Sequence, residues 1–295
     1  MWSLDDENVM RLKAILENFH SELDDNYGKE EVNSFFDLLM ENFLGLKRIQ
    51  LVLNPEYVIT NEQKELFLDA LVELKNNKPI QYIIGETEFY GLPFKVNENT
   101  LIPRPETEEL VDWVITSFDK QKEETQFKIL DIGTGSGCIS ISLAKNLPET
   151  NVFALDVSKE ALQTAKQNAE MNGVEVVFIH DDILNTNFSP LAVFDVIVSN
   201  PPYVRNLEKV EIKSNVLDNE PHIALFVDNE NPLQFYKAIC EFAQNNLKDE
   251  GVLYFEINEY LGQEMIQLLK EFGFKSIELK KDLFGKDRMI KGMKN

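Results

Sequence analysis

The sequence has 295 residues, 51 of them acidic and 29 basic, for a net charge of −22, and is 43% hydrophobic and 27% charged. That balance is globular rather than disordered, no apolar run nears the ~18 residues of a membrane-spanning helix, and the acidic opening Met1-Trp2-Ser3-Leu4-Asp5-Asp6-Glu7 is unlike a secretory signal. Cys138, Cys240 and three scattered histidines supply neither a disulfide framework nor metal-ligand spacing. The negative charge repels a polyphosphate backbone. The chain is therefore expected to be soluble and cytoplasmic, without metal or membrane, and not a direct binder of nucleic acid.

Residues 5 to about 76 carry apolar side chains at helical spacing: Val9, Leu12, Ile15, Leu16 and Phe19, then Val32, Phe35, Phe36, Leu39 and Phe43, then Leu66, Leu68, Leu71, Val72 and Leu74. Gly28, Gly45 and Asn54-Pro55 punctuate them, Thr60-Asn61-Glu62 reads as a helix start, and no strand pattern intrudes. A small all-α N-terminal domain is expected over residues 1–77, serving either partner recognition or stability. Residues 78–103 change character. Thr87–Tyr90 and Phe94–Val96, around Gly91-Leu92-Pro93, suggest a β-hairpin linker between domains. A helix follows from Glu108 to about Phe118.

Over residues 104–295 strands and helices alternate. Strands are expected at 127–132, 151–156, 175–179, 194–199, 251–257, 274–280 and 287–291, and helices at 137–147, 159–171, 231–247 and 260–272. Such alternation calls for an α/β fold, a doubly wound, mostly parallel seven-stranded sheet covered by helices on both faces. The loop before the final strand is too short for a helical crossover, so that strand should run antiparallel. No coiled-coil seam is visible, and a monomer is expected.

Ile129-Leu130-Asp131-Ile132-Gly133-Thr134-Gly135-Ser136-Gly137 is a strand running into a glycine loop that opens a helix, where the backbone can approach a ligand closely. A dinucleotide fingerprint needs its third glycine at position 138. That residue is Cys138, and the third glycine is Gly137, a spacing that leans from NAD toward S-adenosylmethionine, which has no pyrophosphate to cradle. Asp156 ends the next strand, where a carboxylate can accept from ribose hydroxyls; the alternative is an N-cap for the following helix. Asp181-Asp182-Ile183 follows the third strand, where an aspartate can accept from the adenine amino group and Ile183 can pack on the ring; an ordinary turn is the alternative.

The fourth strand ends in Asn200-Pro201-Pro202-Tyr203. Two prolines stiffen the chain and remove two backbone donors. A planar NH₂ group needs two acceptors, and the Asn200 side-chain carbonyl and the Pro201 main-chain carbonyl can supply them, with Tyr203 stacking on the substrate plane. The site should therefore select a planar amine or amide nitrogen.

The set Asp131–Gly137, Asp156 and Asn200-Pro201-Pro202-Tyr203 resembles class I S-adenosylmethionine-dependent methyltransferases acting on nitrogen. Pro79-Ile80-Gln81-Tyr82-Ile83-Ile84-Gly85, Leu101-Ile102-Pro103-Arg104-Pro105-Glu106-Thr107-Glu108, Glu220-Pro221 with Ala224-Leu225, and Asp282-Leu283-Phe284-Gly285-Lys286-Asp287-Arg288 narrow the resemblance to the peptide chain release factor glutamine methyltransferases (PrmC/HemK). It departs at Asp228-Asn229-Glu230-Asn231, where that family usually has glycines, and at Ile183, where some members carry an aromatic residue.

The resemblance implies methylation of the glutamine side-chain amide in the Gly-Gly-Gln motif of bacterial class 1 release factors, with the helical domain recognising the release factor. It implies that Gly133, Thr134, Gly135, Ser136 and Gly137 cradle S-adenosylmethionine, that Asp156 holds its ribose, and that Asp182 and Ile183 frame its adenine. Asn200 and Pro201 would fix the substrate amide, with Pro202 and Tyr203 beside it. A ribosomal-protein glutamine methyltransferase shares the tetrapeptide and is the nearest alternative. An adenine-N6 nucleic-acid methyltransferase would use the same acceptor pair, but the charge counts against it. A binding module without catalysis is a third alternative, against which the intact tetrapeptide speaks.

Overall fold

Apolar residues three and four apart fold the first part of the chain into helices in the computed structural model, which describes residues 9–117, 127–186, 193–211 and 214–295. The acidic opening and Phe118 lie outside the described residues. The chain divides into two units, Met1–Gly85 and Glu86–Asn295.

The first unit runs β1 (Val9–Arg11), α1 (Leu12–Tyr27), α2 (Lys29–Leu44), α3 (Arg48–Leu53), β2 (Val58–Thr60), α4 (Asn61–Lys75) and α5 (Ile80–Ile84). Phe19 packs on Phe36 and Phe67 with ring centroids 5.2 and 6.4 Å apart, and Phe36 lies 5.3 Å from Phe67. Thr60 caps α4 through a reciprocal pair, Gln63 N donating to its Oγ1 at 3.2 Å and its own N–H donating to Gln63 Oε1 at 3.0 Å. Two expectations need correction. A short antiparallel ribbon does intrude, β1 on β2, because Val58-Ile59-Thr60 is a β-branched run whose middle residue is buried. In α4 the buried face is Phe67, Ala70, Leu71 and Leu74, whereas Leu66 and Val72 are exposed. The core face is the one whose i, i+3, i+4, i+7 series contains the large aromatic.

The second unit opens with a hairpin, β3 (Glu86–Phe89) and β4 (Leu92–Lys95). Its turn is Tyr90-Gly91, both at positive φ, rather than Gly-Leu-Pro. A two-residue turn with both central residues in that region matches strand twist, and Glu108 accepts the Tyr90 N–H at 2.8 Å. Then come α6 (Pro105–Ser117), β5 (Phe127–Ile132), α7 (Cys138–Asn146), β6 (Thr150–Asp156), α8 (Lys159–Asn172), β7 (Val177–His180) and β8 (Phe194–Ser199). The stretch from 200 to 230 holds β9 (Val204–Arg205), a 3-10 turn at Asn206–Glu211, α9 (Ser214–Asn219), α10 (His222–Leu225) and β10 (Phe226–Val227). The chain continues through α11 (Gln234–Asn246), β11 (Leu247–Glu256), α12 (Gly262–Glu271), β12 (Lys275–Lys281) and β13 (Asp287–Met293).

Seven strands form one sheet in the order β12-β13-β11-β8-β5-β6-β7, with β13 antiparallel to both its neighbours and the other pairs parallel. Alternate residues of each central strand serve opposite cores. Leu130, Ile197, Leu253 and Phe255 pack with α11 and α12, while Ile129, Val196, Val198 and Tyr254 pack with α6, α7 and the hairpin. Asn168 on α8 joins the hairpin to the glycine loop, its Oδ1 accepting from Lys95 N at 2.7 Å and its Nδ2 donating to Lys95 O and Ser136 O at 3.0 and 2.8 Å. The Asp228–Asn231 segment needs no glycine, since none of its residues has positive φ and Asp228 Oδ1 accepts the Glu230 N–H at 3.1 Å.

Candidate active site

The order reverses at β5, whose carboxyl end lies between β6 and β8, and this is where open α/β sheets bind ligands. A cavity of about 260 Å³ lies there, lined by Gly133 and Gly135 after β5, Asp156 at the end of β6, Asp182 and Ile183 after β7, and Asn200, Pro201 and Pro202 after β8. With Asp181, which also lines it, the ends of four strands thus bring together nine of the residues singled out from sequence for ligand contact. The glycine loop is tied down by the Gly133 and Thr134 N–H groups, which donate to Leu155 O at 2.8 and 3.1 Å.

Thr134, Ser136, Gly137 and Tyr203 do not line the cavity. Thr134 and Ser136 are buried, and Thr134 Oγ1 donates to Asp131 Oδ2 at 2.6 Å. A Cβ on Gly137 would stand 2.7 Å from Ile141 Cδ1 and 3.1 Å from Ala165 Cβ, so this glycine serves the packing of α7 on α8. The Tyr203 hydroxyl donates to Glu256 Oε1 at 3.0 Å, and Asn258 Nδ2 holds the Tyr203 carbonyl at 3.1 Å.

Asp156 is nearly buried and receives the Gly135 N–H on Oδ2 and the Ser158 N–H on Oδ1, at 2.8 and 2.9 Å. Burial pushes its carboxyl above the usual range, and those two N–H groups oppose the shift. Each oxygen retains a lone pair for a further donor. Asp182 closes its own turn, Oδ1 accepting from Leu184 N at 3.0 Å and Oδ2 from Asn185 Nδ2 at 2.9 Å.

Asn200 sits at the cavity end of a buried polar chain. Its Nδ2 donates to Thr107 Oγ1 at 3.1 Å, and Thr107 Oγ1 donates to Glu256 Oε2 at 2.6 Å. Burial raises the Glu256 carboxyl, while the Thr107 and Tyr203 hydroxyls and the Arg288 charge draw it back. Among the described residues no donor meets Asn200 Oδ1 or the Pro201 carbonyl. Thr107 and Glu256 were not visible as site residues in the sequence, because their partners stand 93 and 53 positions away. Arg104 Nη2 meets the buried Glu220 Oε1 at 2.6 Å, and Ile102 N donates to Glu220 Oε2 at 3.3 Å. This pair joins the segment carrying Asn99 and Leu101 to the one carrying Pro221, Ile223 and Ala224, which together form another wall.

Among the described residues the lining includes the carboxylates Asp156, Asp181 and Asp182 and no lysine or arginine. A pyrophosphate would meet no cation among these described residues, whereas a cationic sulfonium nucleoside suits the carboxylates, with Ile183, Leu184 and Leu101 supplying apolar surface for a base. A Cβ on Gly133 or Gly135 would meet no protein atom, so the loop backbone is bare toward a ligand.

Two sequence families match the chain, the Methyltransferase small domain over residues 112–223 and the PrmC N-terminal domain over residues 14–85. The release factor glutamine methyltransferase of Flavobacterium psychrophilum is 55% identical over 96% of this chain and 99% of its own length. That of Bacteroides thetaiotaomicron is 42% identical over 91% of this chain and 95% of its own. Among solved structures, the hMettl16 catalytic domain in complex with MAT2A 3′UTR hairpin 6 aligns with a TM-score of 0.52 over 81% of this chain and 85% of that one, at 16% identity, a likeness of fold alone.

Proposed function

Since this chain belongs to the release factor glutamine methyltransferase family, we propose that it methylates the side-chain amide nitrogen of the glutamine in the Gly-Gly-Gln motif of bacterial class 1 release factors. It is an S-adenosylmethionine-dependent methyltransferase. When bound, S-adenosylmethionine supplies an activated methyl group on sulfur and leaves as neutral S-adenosylhomocysteine. The chain's own residues have to hold and align the acceptor.

The observation that carries this reading is the Asn200 amide, anchored through Nδ2 to Thr107 in a cavity-lining position beside the Pro201 carbonyl. Two oxygens that receive no donor from the described residues suit the two N–H groups of a primary amide. They also favour the positive charge that develops on its nitrogen as the bond to methyl forms. An amide lone pair is delocalised and weakly nucleophilic, so orientation rather than a strong base is the main contribution asked of the protein. Asp156 would hold the ribose, the Gly133–Gly135 backbone the methionine part, and Asp182 with Ile183 the adenine. Thr134, Ser136 and Gly137 would shape that loop from behind, and Tyr203 would brace the tetrapeptide through Glu256.

In the same reading residues 1–77 recognise the body of the release factor, residues 78–103 link, and residues 104–295 carry the chemistry. A translation factor as substrate implies a cytoplasmic setting. The test is incubation of the purified chain with methyl-labelled S-adenosylmethionine and unmodified release factor, followed by peptide mass spectrometry. A single methyl on the Gly-Gly-Gln glutamine is expected. Label confined to other residues, or to a ribosomal protein, overturns the assignment.

A further inference from the structure

The Asn200 amide has two ends of opposite sense, a donor NH₂ and an acceptor oxygen, and a flip about the last side-chain bond exchanges them. The local sequence sets no preference between the two. The neighbour that does is Thr107, buried on α6, which receives Asn200 Nδ2 at 3.1 Å. A hydroxyl has a single proton, and that of Thr107 is directed to Glu256 Oε2 at 2.6 Å. Glu256 is buried, and its other oxygen takes the Tyr203 hydroxyl at 3.0 Å. With the Glu256 carboxylate ionised and accepting from both hydroxyls, Thr107 can only accept toward Asn200. The NH₂ end of the amide fits against it and the oxygen end does not.

We propose that Thr107 is a positioning residue for methyl transfer: by committing its proton to Glu256 it holds the Asn200 amide with Oδ1 free to accept from the substrate nitrogen. A flipped Asn200 would turn its own N–H groups toward a substrate NH₂, donor against donor. The buried chain Tyr203–Glu256–Thr107–Asn200 thus sets the polarity of the site, and of its members only Asn200 is among the residues lining the cavity. The inference rests on Asn200 as the holder of the substrate amide.

The experiment compares Thr107→Val, Thr107→Ser and Asn200→Ala with the unmodified chain. It measures kcat and KM for release factor, S-adenosylmethionine affinity by calorimetry, and thermal midpoint. Valine keeps the shape of threonine and removes the hydroxyl. Thr107→Val is expected to lower kcat about ten- to hundred-fold, with KM for release factor and cofactor affinity within about two-fold of the unmodified values, differences too small to reflect a lost contact. Thr107→Ser should recover most of that loss. Unchanged kcat in Thr107→Val beside an impaired Asn200→Ala overturns this inference alone. Equal impairment in the valine and serine variants also overturns it, since the methyl group and not the hydroxyl would then matter. Unchanged kcat in Asn200→Ala instead overturns the reading of Asn200 on which it rests.

Discussion

Gly137→Ala separates the packing role of the third glycine from a ligand-holding one. The residue has φ of +84°, and an added Cβ would come 2.7 Å from Ile141 Cδ1 and 3.1 Å from Ala165 Cβ. Holding alanine in the left-handed region costs about 1–2 kcal/mol, partly offset by ~0.4–1 kcal/mol from the stiffer unfolded chain. The clash adds about 1–3 kcal/mol, because Ile141 is fully buried and Ala165 has no rotamer with which to retreat. A net loss of about 3 kcal/mol lowers the midpoint of a unit this size by roughly 6–12 °C. Gly173→Ala is the matched control, with φ of +64° and nothing within 4 Å of its Cβ. It should lose only about 1 kcal/mol, or roughly 2–4 °C. Both variants are compared by thermal unfolding followed by circular dichroism, with cofactor affinity measured well below the midpoint. Gly137→Ala should bind S-adenosylmethionine normally once folded. Equal midpoints for the two variants would refute the packing argument, and a large affinity loss in a stably folded Gly137→Ala would return this residue to the ligand.

Asp156→Ala removes a nearly buried carboxylate that also orders the Gly135 and Ser158 N–H groups. Cofactor affinity by calorimetry should fall about ten- to hundred-fold, the scale of a hydrogen bond to a charged group; a change below two-fold contradicts the ribose assignment. Asp131 is pushed up to about 7 by burial, so the folded state keeps a proton that the unfolded chain releases near pH 4. Stability of the second unit should therefore fall between about pH 4 and 7, by at most on the order of 4 kcal/mol. Asp131→Asn should flatten that decline in urea titrations at pH 5 and 8, and an unaltered slope would exclude Asp131 as its source. Phe67→Ala empties the aromatic cluster of the first unit at about 3–5 kcal/mol. It should raise KM for release factor in the methylation assay and leave cofactor affinity intact, whereas an unchanged KM would remove the recognition role from that unit.

The sheet was legible because each of its central strands is a short apolar run bounded by turn residues, and β8 is buried at every position from Phe194 to Ser199. The cavity walls that end parallel strands were legible for the same reason, since their polar residues follow directly on those runs. Side-chain direction within a loop was not. Gly133 and Gly135 line the cavity while Thr134, Ser136 and Gly137 turn elsewhere, a distinction set by how the loop rests on Leu155 and α8. Tyr203 offered a ring for stacking on paper, but Glu256 claims its hydroxyl from 53 residues away, and a contact at that separation leaves no local periodicity to detect. The ribbon β1–β2 escaped for the opposite reason, three residues being too few to show alternation.

An open sheet also has two rims whose backbone groups lack a neighbour, and on this protein both are unattractive to another strand. At one rim β12 carries Lys275, Lys280 and Lys281, and its pairing with β13 is broken by irregularities near each end, with Ser276 at positive φ. At the other, β7 spans only four residues. Charge, kinks and brevity all frustrate strand addition. The scarce cations of this acidic chain are thus partly invested where a sheet would otherwise grow from one molecule into the next.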